Sequence, residues 1–556
     1  MSSPTPALVT QRGARRLPRV ALLLLSAAYV LPGLFDRDPW RNADLVAYAQ
    51  MAAIAEGRTA WLAPTLGGVP GDTALLPHWL GALFIALLSP LIDSDVAARL
   101  PFALLLALTM ASVWYTTFHL ARTEAAQPAA FAFGGEADPV DYARAIADGA
   151  LLALIATLGL LQLGHETTPE LAQLFGVSLF LWALASAPYR HWQPRLGVIA
   201  ALALLAGSGA PAMAAAIGIG GFVVCQRSSY PEVRRCVPWV AVATLVAALL
   251  ASALDAWRLR ALPLAPADLW PIARQWAWFL WPSWLLVLWT LWRWRRQLLN
   301  RHIALPLVVV AVALVSSVAM RGSDRALLLA LPGMAVLAAF ALPTWKRSTS
   351  AAVDWFSMFF FSAAAITIWV VYTSLMVGVP AKPAANVTRL VPGFDAPFAP
   401  VELAFAIAGT VAWLWLVRWR TGRHREAVWK SMVLPAGGVA LNWLLLMTLW
   451  LPMLDYGRSS RALVERVALM VPRSACIAAP RLSTVQVAAL EVFGRYRVDA
   501  RAGSAGGDCA FLLQGVRLSQ RPEPPPGWAL AATAQGPRDR DEALAIFRRQ
   551  ASTAAP

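Results

Sequence analysis

Four carboxylates stand early in the chain: Asp36, Asp38, Asp44 and Asp72. A carboxylate within hydrogen-bond reach of a hydroxyl can take its proton as a general base. Asp44 is the first candidate. Its plain alternative is helix capping, because ADLVAYAQMAAIA begins a helix at that point. Asp36 and Asp38, in FDRDPW, suit the turn before that helix, with Asp38 a second candidate base. Further on, HETTPELAQLF brings His165, Glu166 and Glu170 into one short stretch. With Asp72 they form a candidate set for a divalent cation (Mg, Mn or Zn), and salt bridges are the alternative, since the spacing follows no known metal motif. Arg321 and Arg325, in RGSDRALLLALP, sit at a helix boundary. Guanidinium groups there either stabilise developing negative charge, or anchor the helix and pair with Asp324. Arg58, Arg258 and Arg260 are weaker candidates of the same kind. His78 is a candidate substrate contact or a hydrogen-bond partner inside its own loop.

The elements that must hold these groups are apolar. The chain has 556 residues, 58% of them hydrophobic and 14% charged, with a mean hydropathy of +0.57. That excludes an ordinary soluble globule. Thirteen apolar stretches predict membrane helices near 19–35, 95–118, 146–163, 170–187, 195–208, 212–225, 237–254, 272–291, 302–319, 324–343, 353–376, 400–417 and 432–453. The shorter alternating segments of a β-barrel are missing. The segment 76–91, with Pro77 and Pro90, suits a helix at the membrane surface. The net charge of +16 clusters at helix ends, as in RWRRQLLNRH and RWRTGRHR, so it argues for cytoplasmic loops and against nucleic acid.

That charge pattern puts the N-terminus inside, with residues 1–18 a cytoplasmic tail and 19–454 the membrane domain. The first outside loop, 36–94, carries the carboxylates. The inside loop 119–145, rich in small residues, reads as a poorly ordered connector. GSGAP, 207–211, reads as a tight helical hairpin turn. The outside loop 377–399 is long and proline-rich, either a lid carrying Lys382 toward substrate or a plain connector. From 455 to 556 the pattern predicts a small α/β domain on the outer side. ACIAAP, YRVDAR and CAFLLQG read as strands, LSTVQVAALEVFG as a helix and DRDEALAIFRR as a charged helix. Cys476 and Cys509 form one disulfide if that domain is extracytoplasmic.

The run DLVAYAQMAAIAEGRTAWLAPTLGGVPGDTALLPHWLGALF resembles the first periplasmic loop of GT-C glycosyltransferases, in the ArnT-like and protein-mannosyltransferase-like group. Asp44 falls on the first residue of that group's acidic pair, its catalytic carboxylate, and Leu45 stands where the second acid is usual. Ala47 replaces an arginine, while Tyr48 and Ala49 agree. Trp61 and Pro64 agree with the middle of the loop. Asp72 falls on the Glu of a Glu-Lys pair whose Lys is Thr73 here. His78 and Trp79 fall on a Tyr-Trp, and Arg99, Leu100 and Pro101 match the opening of the next helix. Glu170 and the pair Arg321 and Arg325 match downstream positions.

The resemblance implies a GT-C membrane fold with a C-terminal periplasmic domain, in a bacterial inner membrane. It implies transfer of a sugar from a polyprenyl-phosphate donor to a lipid, glycan or protein acceptor, by a monomer. Asp44 would be the base. Tyr48, Arg58, Asp72, His78, Glu170, Arg258, Arg260, Arg321, Arg325 and Lys382 would contact substrates. One base suffices for a single displacement that inverts the anomeric centre. Two other readings stand beside it. A flippase or transporter would place ionisable residues at mid-membrane. An O-antigen-ligase-like enzyme would place its large outside loop late in the chain.

Overall fold

The computed structural model describes residues 5–40, 42–257, 262–422, 427–519, 522–537, 539 and 541–550. In a bilayer each backbone N–H and C=O must be satisfied within the segment, so apolar runs fold as helices. Eight helices among the described residues are long and apolar enough to cross: Ser94–Ala121, Pro169–Ser186, Pro231–Ala253, Arg301–Ala319, Asp324–Thr344, Ser348–Val377, Pro400–Thr421 and Val428–Leu449. The other five expected spans fall on shorter pieces. Three are single helices, Arg19–Val30, Gln193–Gly207 and Pro211–Gln226. Two are broken, Pro139–Ala156 with Leu160–Leu163, and Leu269–Phe279 with Ser283–Arg293. Helix Leu75–Leu88, at 14 residues, is short of the roughly 20 that a span requires.

The chain divides into two compact units. The first comprises residues 1–34, 102–367 and 401–448. Its helix Asp324–Thr344 is enclosed along its whole apolar window. The turn 207–211 is tight as expected, and Gly209 supplies the positive φ of 82° that joins the two helices there. The connector 119–145 is more ordered than its composition suggests. The N-terminal tail pairs with it: Ala129 N–H donates to Ala7 C=O (2.9 Å), Ala137 N–H to Val9 C=O (3.1 Å) and Gln11 N–H to Gly135 C=O (3.2 Å). Leu17 N–H and the Trp114 indole then donate to the buried Asp148 carboxylate at 2.9 and 2.8 Å. Backbone pairing supplies the order that few apolar side chains could not.

The second unit comprises residues 35–101, 368–400 and 449–556, so the first loop belongs with the C-terminal residues. Strands β1 (Thr65–Leu66) and β2 (Val69–Pro70) form a hairpin in the loop. Strands β3 (Cys476–Ala478), β4 (Arg497–Asp499), β5 (Phe511–Arg517), β6 (Trp528–Ala534) and β7 (Glu542–Arg549) form one sheet in the order β4-β3-β5-β7-β6. The segment expected as a charged C-terminal helix is therefore strand β7, paired antiparallel to both β5 and β6. Its five consecutive buried residues, Ala543 to Phe547, suit a strand covered on both faces. Cys476 and Cys509 are joined as a disulfide.

The loop helix Ala43–Ala55 is buried through Leu45 and Ala49 in one core with Val464, Val467, Ile477, Val487, Leu490 and Leu513. The hairpin docks on the same domain. Gly67 N–H donates to Glu491 (2.9 Å), Ala500 N–H donates to Gly67 C=O (2.8 Å) and Arg58 pairs with Glu491 (3.1 Å).

Candidate functional site

Helix Ala43–Ala55 is reached through Asn42, which takes φ 79° and ψ −139°, outside the left-handed helical region that asparagine favours. Asn42 is the N-cap and makes no side-chain cap hydrogen bond. Asp44 lies in the first turn, 1% exposed. Its Oδ2 accepts from Trp40 N–H (3.2 Å) and pairs with Arg37 at 3.5 Å. The carboxylate thus braces the approach to the helix without being its N-cap, and it is held by a cation and a backbone donor. The Arg37 guanidinium lies 4.8 Å from the Trp40 ring centroid, and that of Arg458 lies 4.7 Å from it.

A second carboxylate pair adjoins this group. Asp38 accepts from Ser459 Oγ (2.7 Å) and Arg461 Nε (2.9 Å), with Arg461 Nη2 completing a forked ion pair. Asp455 Oδ1 accepts from Asp38 N–H (3.0 Å) and the Trp40 indole (2.9 Å). Burial, and then the neighbouring Asp38 charge, push the Asp455 carboxyl up to about 6. Asp38, the second candidate base, is consequently committed to Arg461. Neither Arg37 nor the Asp455–Arg461 segment was a sequence candidate. The only available signal was the charged run DYGRSSR directly after the last apolar stretch.

The remaining loop candidates have mixed placements. The Tyr48 hydroxyl is buried against Ser94 Oγ (2.8 Å), and its pKa is raised by burial. Arg58 is tied to Glu56 (2.7 Å) as well as Glu491, which gives it a docking role. His78 is buried, and burial lowers its pKa to about 4 against the opposing pull of Asp72. Asp72 caps its own turn by accepting from Thr73 N–H (2.8 Å). Arg99 pairs with Asp95 (3.1 Å) and donates to Arg37 C=O, so the expected helix opening supports the Asp44 approach. The loop 377–399 contains helix Ala381–Leu390, with Lys382 exposed on it.

In the first unit, Arg325 donates to Glu166 at 2.7 Å and to Glu170 at 3.1 Å. The pairing expected with Asp324 is replaced by these two acids, and Asp324 instead accepts the Arg325 backbone N–H (2.9 Å). Arg321 makes a forked pair with Asp268, at 3.0 and 3.1 Å. Arg258 and Arg260 lie outside the described residues. The proposed cation set is not assembled. Both ring nitrogens of His165 are within reach of backbone carbonyls, Leu161 at 2.7 Å and Tyr29 at 2.8 Å. Glu166 and Glu170 are matched by Arg325. Among the described residues no three metal-ligating side chains converge, so these residues do not fit a metal.

Two crystal structures of ArnT from Cupriavidus metallidurans superpose on the chain. One, bound to undecaprenyl phosphate, gives a TM-score of 0.59 at 13% identity, covering 97% of this chain and 98% of that one. The other, in the apo state, gives 0.58 at 14% identity, covering 95% and 97%. The chain has the ArnT fold. It is a polytopic helical membrane protein with the GT-C architecture that the first loop suggested. No protein-family model matches the sequence, and no curated protein matches it. At this identity the likeness speaks for the fold, and the chemistry must be argued from side chains.

Proposed function

We propose that this protein is a membrane glycosyltransferase. It moves a sugar from a polyprenyl-phosphate carrier to a lipid, glycan or protein acceptor at the periplasmic face of a bacterial inner membrane. The observation that carries this reading is the match, over nearly the whole of both chains, to an ArnT structure holding undecaprenyl phosphate. The disulfide between Cys476 and Cys509 supports an oxidising compartment for the second unit.

In this reading Asp44 is the base. The acceptor hydroxyl attacks the anomeric carbon and its proton passes to Asp44. The bond from the anomeric carbon to the phosphate oxygen breaks, and the electron pair leaves on the polyprenyl phosphate. One displacement inverts the centre. Arg37 and the Trp40 N–H aim the carboxylate. Charge on the leaving phosphate needs a cation at the site. The leaving group is assigned to Arg458, half-buried on the face of Trp40, the residue whose backbone N–H donates to Asp44.

The test uses full-length protein in lipid with total polyprenyl-linked sugars and an acceptor-containing envelope extract from the host, reading release of polyprenyl phosphate by mass spectrometry. Asp44→Asn, folded as judged by its melting profile, is expected to release it at least about 100-fold more slowly. Equal release from wild type and variant would remove Asp44 as base.

A further inference from the structure

The first unit carries a second polar cluster that the transfer reaction does not use. It lies at the ends of helices Ser94–Ala121, Pro169–Ser186 and Arg301–Ala319, which the charge pattern assigns to the cytoplasmic side. At its base is Arg301, 7% exposed. Its Nη2 donates to Leu184 C=O (2.5 Å) and Ala185 C=O (2.6 Å), the last carbonyls of Pro169–Ser186. Its Nε and Nη1 are buried and have no acceptor among the described residues. A buried charged donor without an acceptor is costly. Arg301 is also the first residue of its own helix, the end where a cation is least favoured and an anion most.

What surrounds it is cationic and aromatic. The Arg301 guanidinium is 5.9 Å from the Tyr230 ring. Tyr230 Oη accepts from Glu124 N–H (3.2 Å), which leaves its own proton to donate. Tyr189 is stacked on His119 (5.2 Å between centroids) and covered by Arg122 at 4.3 Å. Arg122, Arg190 and Arg301 all act electrostatically on His119, whose Nδ1 is likewise buried without a partner. Among the described residues none of these three arginines has a carboxylate within ion-pair distance. A bias toward positive cytoplasmic loops accounts for the exposed Arg190. It does not account for a buried guanidinium with two open nitrogens.

We propose that this cluster binds a phosphate group, either on the headgroup of an inner-leaflet lipid or as free phosphate. Arg301 meets it with its two open nitrogens, Arg122 and Arg190 close over it, and the Tyr230 hydroxyl donates to it. Three guanidinium groups and a hydroxyl suit the several acceptor oxygens of phosphate better than a monovalent halide.

The experiment follows thermal unfolding of the full-length protein in neutral detergent. It titrates dioctanoyl phosphatidic acid, dioctanoylglycerol, and sodium phosphate against sodium chloride at equal ionic strength. Saturable stabilisation by phosphatidic acid but not dioctanoylglycerol is expected. Stabilisation by phosphate ion as well assigns the free ion as a sufficient ligand; stabilisation by the lipid alone assigns a headgroup. The double variant Arg122→Gln/Arg190→Gln leaves the helix-end contacts of Arg301 intact. It is expected to shift the titration midpoint at least about tenfold, the equivalent of one lost charged hydrogen bond. Arg458→Gln, at the proposed donor site, is expected to leave the midpoint in place. No stabilisation by either phosphate ligand, or a midpoint moved by Arg458→Gln and not by the double variant, overturns the proposal. The second of these outcomes would place the phosphate at the donor site, so the result does not depend on whether glycosyl transfer is confirmed.

Discussion

Asp455 illustrates how one buried carboxylate sets a pH response. Unfolded, it titrates near 3.8, and folded it is raised to about 6. A raised pKa means the folded state favours the proton. That stabilisation is fully present below pH 3.8 and is lost as pH rises through 6. By pH 7 the loss amounts to about 3 kcal/mol. Asp455→Asn keeps the Oδ1 acceptor for Asp38 N–H and the Trp40 indole while removing the charge. Its melting temperature should therefore exceed that of wild type by a margin that grows from pH 4.5 to pH 7 and then levels. A margin independent of pH would show that Asp455 does not titrate in that window. His78 has the opposite sign. Its lowered pKa stabilises the fold above about 6.5 and is lost as pH falls through 4. Comparing wild type with the single variant separates the two.

At the scale of elements, ion pairs and glycines hold helices and hairpins in register. Arg325 joins helix Asp324–Leu328 to Pro169–Ser186 and the turn before it through Glu170 and Glu166. Arg325→Gln removes the guanidinium that Glu166 and Glu170 share and is expected to cost about 3 kcal/mol. The triple variant with Glu166→Gln and Glu170→Gln should recover most of that in chemical denaturation; failure to recover would mean the arginine contributes by packing. Gly67 has φ +58°, and a Cβ there would stand 2.8 Å from Val487 Cγ1 and 2.9 Å from Ala500 Cβ. Gly67→Ala should destabilise by about 2 kcal/mol and release the hairpin first, read as new protease cleavage near residue 67. The element scale also shows where the sequence was legible. Apolar runs announced the membrane helices, because lipid leaves the backbone no other choice. Strand β7 read as a helix because EALAIFRR is a short apolar run between charges, and such a run has no period to separate a covered strand from a helix. The Arg325 pairs were invisible because their partners lie 155 and 159 residues away. Asp44 was legible by its place in a family-like loop, whereas its partner Arg37 sits in a turn with no motif of its own.

For the whole molecule, the disulfide gives a test of orientation. In intact cells Cys476 and Cys509 should react with an impermeant maleimide only after reduction, whereas the buried Cys225 and Cys236 should stay protected in both conditions. Labelling of 476 and 509 without reduction would contradict an oxidised outer domain. The docking of the first loop on the C-terminal sheet has a consequence in time. Arg58 and Gly67 meet Glu491 across separations of 433 and 424 residues. At roughly 5–20 residues per second, that interval of synthesis lasts from about 20 s to over a minute. Throughout it the loop bearing Asp44 has left the ribosome, while the surface that buries Leu45 and Ala49 does not yet exist. A chain cut short after its last membrane helix would lack Ser459 and Arg461, which hold Asp38, and the core that buries Leu45 and Ala49. The loop therefore reaches its docked place only after the residues that bury Leu45 and Ala49 have been synthesised.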